Sequence, residues 1–193
     1  MYLSQFFNCL LFKPKTLLPV MHVHGVFIQI YGKGVLIIGK SGIGKSEVAL
    51  DLIHKGHTLI SDDSVAFHKD SKNRLIGEAP PLLKNLLEVR GLGVLNIQKL
   101  FGRKSVTKHS KLFLAIELIT SQKKMNYSRL EMNIHPFKLF DIEMPKIKLS
   151  IDNARHISLL IETAVKNYAL ISEGFDATKN LSQKLNFKLR LDS

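Results

Sequence analysis

Val35-Leu36-Ile37-Ile38-Gly39-Lys40-Ser41-Gly42-Ile43-Gly44-Lys45-Ser46 runs from a buried-strand pattern into a loop that fills every fixed position of GxxxxGK[ST]. The four apolar residues predict a strand. The spacing of Val48, Leu50, Leu52 and Ile53 predicts a helix over 47–55, closed by Gly56. Strand, glycine loop and helix in that order are the context a phosphate site requires. Glycine permits positive φ, so Gly39, Lys40, Ser41, Gly42, Ile43 and Gly44 can turn their amides inward, and the helix N-terminus adds its own. Lys45 would then reach the terminal phosphates and Ser46 would ligate Mg²⁺. A glycine turn that binds nothing is the plain alternative, and the flanking strand and helix speak against it.

Upstream, residues 22–31 are rich in Val, Phe and Ile and predict one strand; Gly32-Lys33-Gly34 then predicts a tight turn, so a hairpin leads into the loop. Further strands are predicted over 58–61, 64–68, 74–76, 112–119 and 146–151, helices over 156–170 and 177–185, and a mobile, basic loop over 121–129. Strands in front, an early phosphate loop and helices at the end define a mixed α/β domain. The chain of 193 residues suits one such domain, placed over 22–193 behind an N-terminal extension at 1–21.

Composition, at 45% hydrophobic and 23% charged, is that of a globular protein. The apolar patch Phe6-Phe7-Asn8-Cys9-Leu10-Leu11-Phe12 is too short to span a bilayer, and the extension lacks the basic leader and small-residue cleavage site of a secretory signal. The single cysteine, Cys9, excludes an internal disulfide framework, so a cytoplasmic protein without membrane attachment is expected. The formal charge of +12 attracts anions without naming them. Its cations are spread along the chain with no run of five, which makes nucleic acid the lesser alternative.

Asp62-Asp63 ends the predicted strand over 58–61, where open α/β sheets place their ligands. Two adjacent carboxylates can divide the work, one holding Mg²⁺ or its waters and the other taking a proton from an attacking hydroxyl. Alone the pair reads as a turn; beside a phosphate loop the catalytic reading is preferred. Leu87-Glu88-Val89-Arg90-Gly91-Leu92-Gly93 has little helix or strand logic and predicts a loop. It could offer a metal carboxylate and a phosphate-binding guanidinium, or only a weakly paired surface Glu and Arg. His22 and His24 face one side of a strand, but two ligands without a third are weak grounds for a metal site. Arg129, in Tyr127-Ser128-Arg129-Leu130, could stabilise transition-state charge, although by its own physics it is one surface cation among many.

Taken together, His24-Gly25-Val26, the loop from Gly39 to Ser46 with Glu47, Asp62-Asp63, Ile76-Gly77-Glu78-Ala79-Pro80 and Leu87-Glu88-Val89-Arg90-Gly91-Leu92-Gly93 resemble the catalytic domain of the bacterial HPr kinase/phosphorylase family. The phosphate loop is common to many families; the Glu-Val-Arg-Gly-Leu-Gly segment at this distance behind it is specific. The resemblance implies a phosphoenolpyruvate-carboxykinase-like α/β fold, a mixed sheet with C-terminal helices, and a hexameric assembly. It implies phosphorylation of a serine on the phosphocarrier HPr with ATP or pyrophosphate and Mg²⁺, and phosphorolysis of the product. His24, Lys45, Asp63 and Arg129 match the family's catalytic residues, and Ser46 and Glu88 its magnesium ligands. Asp62, Arg90 and Arg155 are further candidates.

Two departures shape the expectation. The additional N-terminal domain of full-length members has no counterpart in this chain, although short forms of the kinase domain occur in the family. The family's Pro-Val-x-x-Gly-Arg loop reads here Ser150-Ile151-Asp152-Asn153-Ala154-Arg155. Losing a rigid proline and a permissive glycine predicts a weakened phosphorylase relative to the kinase. A phosphate-loop kinase of a small-molecule hydroxyl and a nucleotide-binding protein that transfers nothing are the remaining readings.

Overall fold

The computed structural model describes residues 19–120, 132–152 and 156–191. The strand expected over 22–31 is two strands, β1 (Met21–His24) and β2 (Val26–Ile30), parted at Gly25. An apolar run does not mark this break because both halves are extended. Space marks it instead: a β-carbon on Gly25 would stand 2.6 Å from the Ile37 carbonyl oxygen. β2 turns into β3 (Lys33–Gly39) as the expected antiparallel hairpin. Beyond the loop, α1 (Lys45–His54) begins two residues earlier than expected, since the Gly44 carbonyl already accepts the Val48 N–H at 3.0 Å.

Next come β4 (Thr58–Ser61), β5 (Ser64–Lys69) and β6 (Leu75–Glu78). The segment expected as a loop over 87–93 is a small hairpin of β7 (Leu86–Val89) and β8 (Gly93–Asn96). Its strand character rests on Leu87 and Val89 pointing into the core while Glu88 between them stays exposed. After α2 (Ile97–Phe101), the long β9 (His109–Ile119) crosses the molecule. β10 (Ile134–Leu139), which no residue pattern announces, pairs with β11 (Ile142–Ser150), setting Pro136 opposite Pro145. α3 (Ile157–Ser172) and α4 (Ala177–Leu191) close the chain.

The main sheet runs β10-β11-β9-β3-β2-β4, with β11, β9 and β3 mutually parallel. A smaller antiparallel sheet, β1-β5-β6, joins it where β6 pairs with the first residues of β9. Strands buried on both faces read as continuous apolar runs, and β2 and β3 do so. Val26, Ile28, Val35 and Ile37 face one core with Ala49, Leu52 and Ile53 of α1 and Ile161 and Val165 of α3. Phe27 and Leu36 face the other, with Val65, Phe67 and Leu75 of the small sheet. Each of these side chains larger than alanine contributes about 1.5–3 kcal/mol by leaving water.

A polar cluster fastens α1 to α3. The Glu162 carboxylate accepts the Tyr31 hydroxyl at 2.8 Å and lies 2.9 Å from His57 Nε2 and 3.7 Å from Lys55 Nζ. The helix that starts with Lys45 and Ser46 is thereby held at its far end.

Candidate active site

β3 ends at Gly39, opposite Leu118 of β9, and the chain folds back through positive φ at Gly42 (76°) and Gly44 (96°) to enter α1. Lys45, only 8% exposed, donates from Nζ to the carbonyls of Gly39 and Lys40, both at 3.1 Å. Burial lowers its pKa, opposed by the charges of Asp62, Asp63 and Glu47. A phosphate oxygen entering the loop would replace those carbonyls with a stronger, charged acceptor.

The loop's neighbour is the Asp62-Asp63 turn between β4 and β5. The Ser64 N–H donates to the Asp62 carbonyl at 2.8 Å while Asp63 takes φ 63°, a tight three-residue turn in a conformation that costs a non-glycine residue about 1–3 kcal/mol. The turn aims the two carboxylates apart. Asp62 points inward, where it accepts the Ser46 hydroxyl at 3.2 Å and the Glu88 backbone N–H at 2.9 Å. Burial pushes its pKa up to about 6, although the amides of Glu88 and Asp63 and the Ser46 hydroxyl favour its charge. Asp63 points toward β1, where His24 Nδ1 lies 2.8 Å from its carbonyl and 3.1 Å from its carboxylate. Both partners are acceptors, which places a proton on Nδ1.

The structure therefore brings His24, Lys45, Ser46, Asp62 and Asp63 together. Glu88 enters through its backbone, its side chain exposed on β7. Arg90 lies over the loop, Nη2 standing 3.5 Å from where a β-carbon on Gly42 would be. Arg129 and Arg155 fall outside the described residues, as do the predicted loop over 121–129 and Asn153 and Ala154. Among the described residues no three His, Cys, Asp or Glu side chains form a metal cluster, so the His22 and His24 pair stays without a third ligand. Sequence reasoning passed over Glu117, the one carboxylate inside the apolar run of β9, which faces a cleft beside the loop; its isolation in that run is the signal.

A glycine cradle closed by a lysine at a helix start, with an aspartate turn from the same sheet beside it, is common to phosphate-loop proteins of many activities, and fold and site place this chain among them. The chain belongs to the HPr Serine kinase C-terminal domain family, whose model matches residues 15–185. Proteins named HPr kinase/phosphorylase from Bacillus mycoides (strain KBAB4) and Bacillus cereus (strain B4264) are each 41% identical to it over 175 residues, covering 91% of this chain and 57% of theirs. The chain thus spans little more than half the length of these curated relatives. A solved structure of the Hpr(Ser) kinase/phosphatase from Coxiella burnetii superposes with a TM-score of 0.76 at 34% identity, covering 83% of this chain and 98% of that one. The mixed α/β fold with C-terminal helices expected from the resemblance is borne out.

Proposed function

We propose that this chain transfers phosphate from ATP or pyrophosphate to a serine hydroxyl of HPr, and returns it from phosphoserine to inorganic phosphate. The observation that carries the reading is Asp63, held by His24 at the mouth of a phosphate loop whose lysine is buried. In the forward direction the Asp63 carboxylate takes the serine proton as the serine oxygen bonds to the terminal phosphorus and the bridging P–O bond breaks, releasing ADP or phosphate. In reverse, a phosphate oxygen attacks the phosphoserine phosphorus, pyrophosphate leaves, and protonated Asp63 returns its proton to the serine oxygen. His24 orients Asp63, and the Lys45 ammonium with the loop amides neutralises the charge that gathers on the transferring group.

The donor set fits Mg²⁺. The Ser46 hydroxyl and Glu88 would hold the ion, with Asp62 behind Ser46, and the phosphates and waters that Mg²⁺ retains make a larger protein cluster unnecessary. A buried carboxylate that burial makes reluctant to ionise is also relieved by a nearby cation. When bound, the ion would supply charge neutralisation for the phosphates. The single cysteine, and the lack among the described residues of any helix long and apolar enough to cross a membrane, support a cytoplasmic setting.

Labelled ATP with purified HPr tests the reading. Lys45→Ala is expected to lose both nucleotide binding and transfer, whereas Asp63→Asn keeps the nucleotide and loses about 10²–10⁴-fold in transfer. Equal loss of binding in both variants would contradict these roles.

A further inference from the structure

Beside the phosphate loop, on the side of His24 rather than of Ser46, lies a cleft of about 410 Å³. Its apolar lining comes from Val23, Ile38, Ile43, Leu118 and Ile119, and all of these except Leu118 are left half-buried, with surface still to lose. The polar side chains at hand are His24, which holds Asp63, Lys40 and Thr120 at the exposed rim, and Glu117. Glu117 is already compensated: Lys146 Nζ of β11 stands 2.9 Å from Oε2, a contact of charges lying off the direction of a hydrogen bond, since that oxygen has no hydrogen-bond partner. The cleft therefore offers no free charge of either sign at its floor.

Two flanks of Lys45 thus differ in chemistry. On one, Ser46, Asp62 and the Glu88 amide form a polar, cation-seeking surface. On the other, His24, which holds the base Asp63, lines a mainly apolar cavity of the size that ordinary ligand clefts have, about 300–1,000 Å³. Given the reading of Asp63 as the base, on which this inference rests, the acceptor hydroxyl stands at the edge of that cavity. A neighbouring side chain of the acceptor then has one place to go.

We propose that this cleft is a specificity pocket that takes an uncharged aliphatic side chain adjacent to the phosphorylated serine, with Val23, Ile38 and Ile119 as its selecting residues. A charged neighbour would be desolvated against apolar walls, and a cation would have to displace Lys146 from Glu117. An alanine would leave the walls wet and lose the binding that a filled pocket contributes at the transition state.

The test uses the whole chain, ATP, and HPr in which each residue flanking the target serine is changed in turn to leucine, alanine, aspartate and lysine, with kcat/KM measured for each. At one of the two flanks leucine should exceed alanine by about tenfold or more, and exceed aspartate and lysine by at least as much. Val23→Phe, which fills the cleft from the edge strand, should bring the leucine-to-alanine ratio close to one, and Ile119→Ala should lower it as well. A ratio is unaffected by the fraction of enzyme that folds, so poor yield of either variant does not obscure the answer. Ratios below about threefold at both flanks, a preference for lysine or aspartate, or an undiminished ratio in Val23→Phe would overturn the pocket while leaving the HPr reading in place. Unmodified HPr that accepts no phosphate at all would instead overturn that reading, and the pocket with it.

Discussion

Asp62 sits within reach of a lysine, a serine hydroxyl and two amides, and still ionises less readily than a free carboxyl. Its folded pKa, raised from 3.8 to about 6, means that the folded protein binds a proton more tightly than the unfolded chain does. The contribution to stability is therefore complete below about pH 3.8 and is lost as pH rises through 6. Asp62→Asn should accordingly melt higher than the parent at pH 8 in the absence of metal, by an amount equivalent to about 1–3 kcal/mol, with the gap closing near pH 4. Nucleotide binding with Mg²⁺ should weaken in the same variant. A lower melting temperature at pH 8 would show that the charge stabilises the fold. Glu162 has the opposite sign. Burial opposes its charge, but His57, Tyr31 and Lys55 together hold its pKa below 4.5, so its contribution is present at neutral pH and lost as pH falls through that lowered value. One carboxylate thus reflects what the site needs, the other what the fold needs.

Between elements, the close approach of the two sheets depends on a missing side chain. Phe27 and Phe67 meet edge to face at 5.3 Å, and Gly77 lies under both: a β-carbon there would fall 2.6 Å from Phe67 Cε1 and 2.7 Å from Phe27 Cε1. Gly77→Ala is expected to destabilise by about 1–3 kcal/mol through overpacking, readable as a lower denaturant midpoint with unchanged slope. The same elements show where sequence is a good guide. The strand Thr58–Ser61 was legible to the residue because turn residues bracket a short apolar run, and the phosphate loop was legible because its chemistry fixes spacing. The break at Gly25 was not, since it is imposed by Ile37, a residue distant in sequence. The β7–β8 hairpin was misread because two glycines and alternating charges outweigh two inward side chains in any local window. In the site, Asp62 and Asp63 were found together, but their division into an inward and an outward carboxylate comes from a backbone turn at positive φ that no residue pattern announced.

The whole molecule carries +12, and the charge is uneven along it. Between Glu88 and Glu117 the chain bears Arg90, Lys99, Arg103, Lys104, Lys108 and Lys111 and no carboxylate, and all six side chains are exposed. Such a field hastens the approach of anionic partners and is screened beyond about 10 Å at 0.1 M salt. For an acceptor protein of net negative charge, kcat/KM should fall several-fold from low to moderate ionic strength while kcat changes little; equal slopes would argue against steering. The long strand β9 bears on something else. Gly34 to Gly39 of β3 lie against Leu112 to Leu118 of β9, so the floor of the phosphate loop is supplied by residues far downstream of the loop itself. During synthesis, a chain that has just emerged through Ser46 holds the entire motif and, of the two strands that flank β3, only β2. The time between writing that motif and having a working cradle is set by how long the ribosome takes to reach Ile119, and by how fast a parallel pairing of such long range can then close.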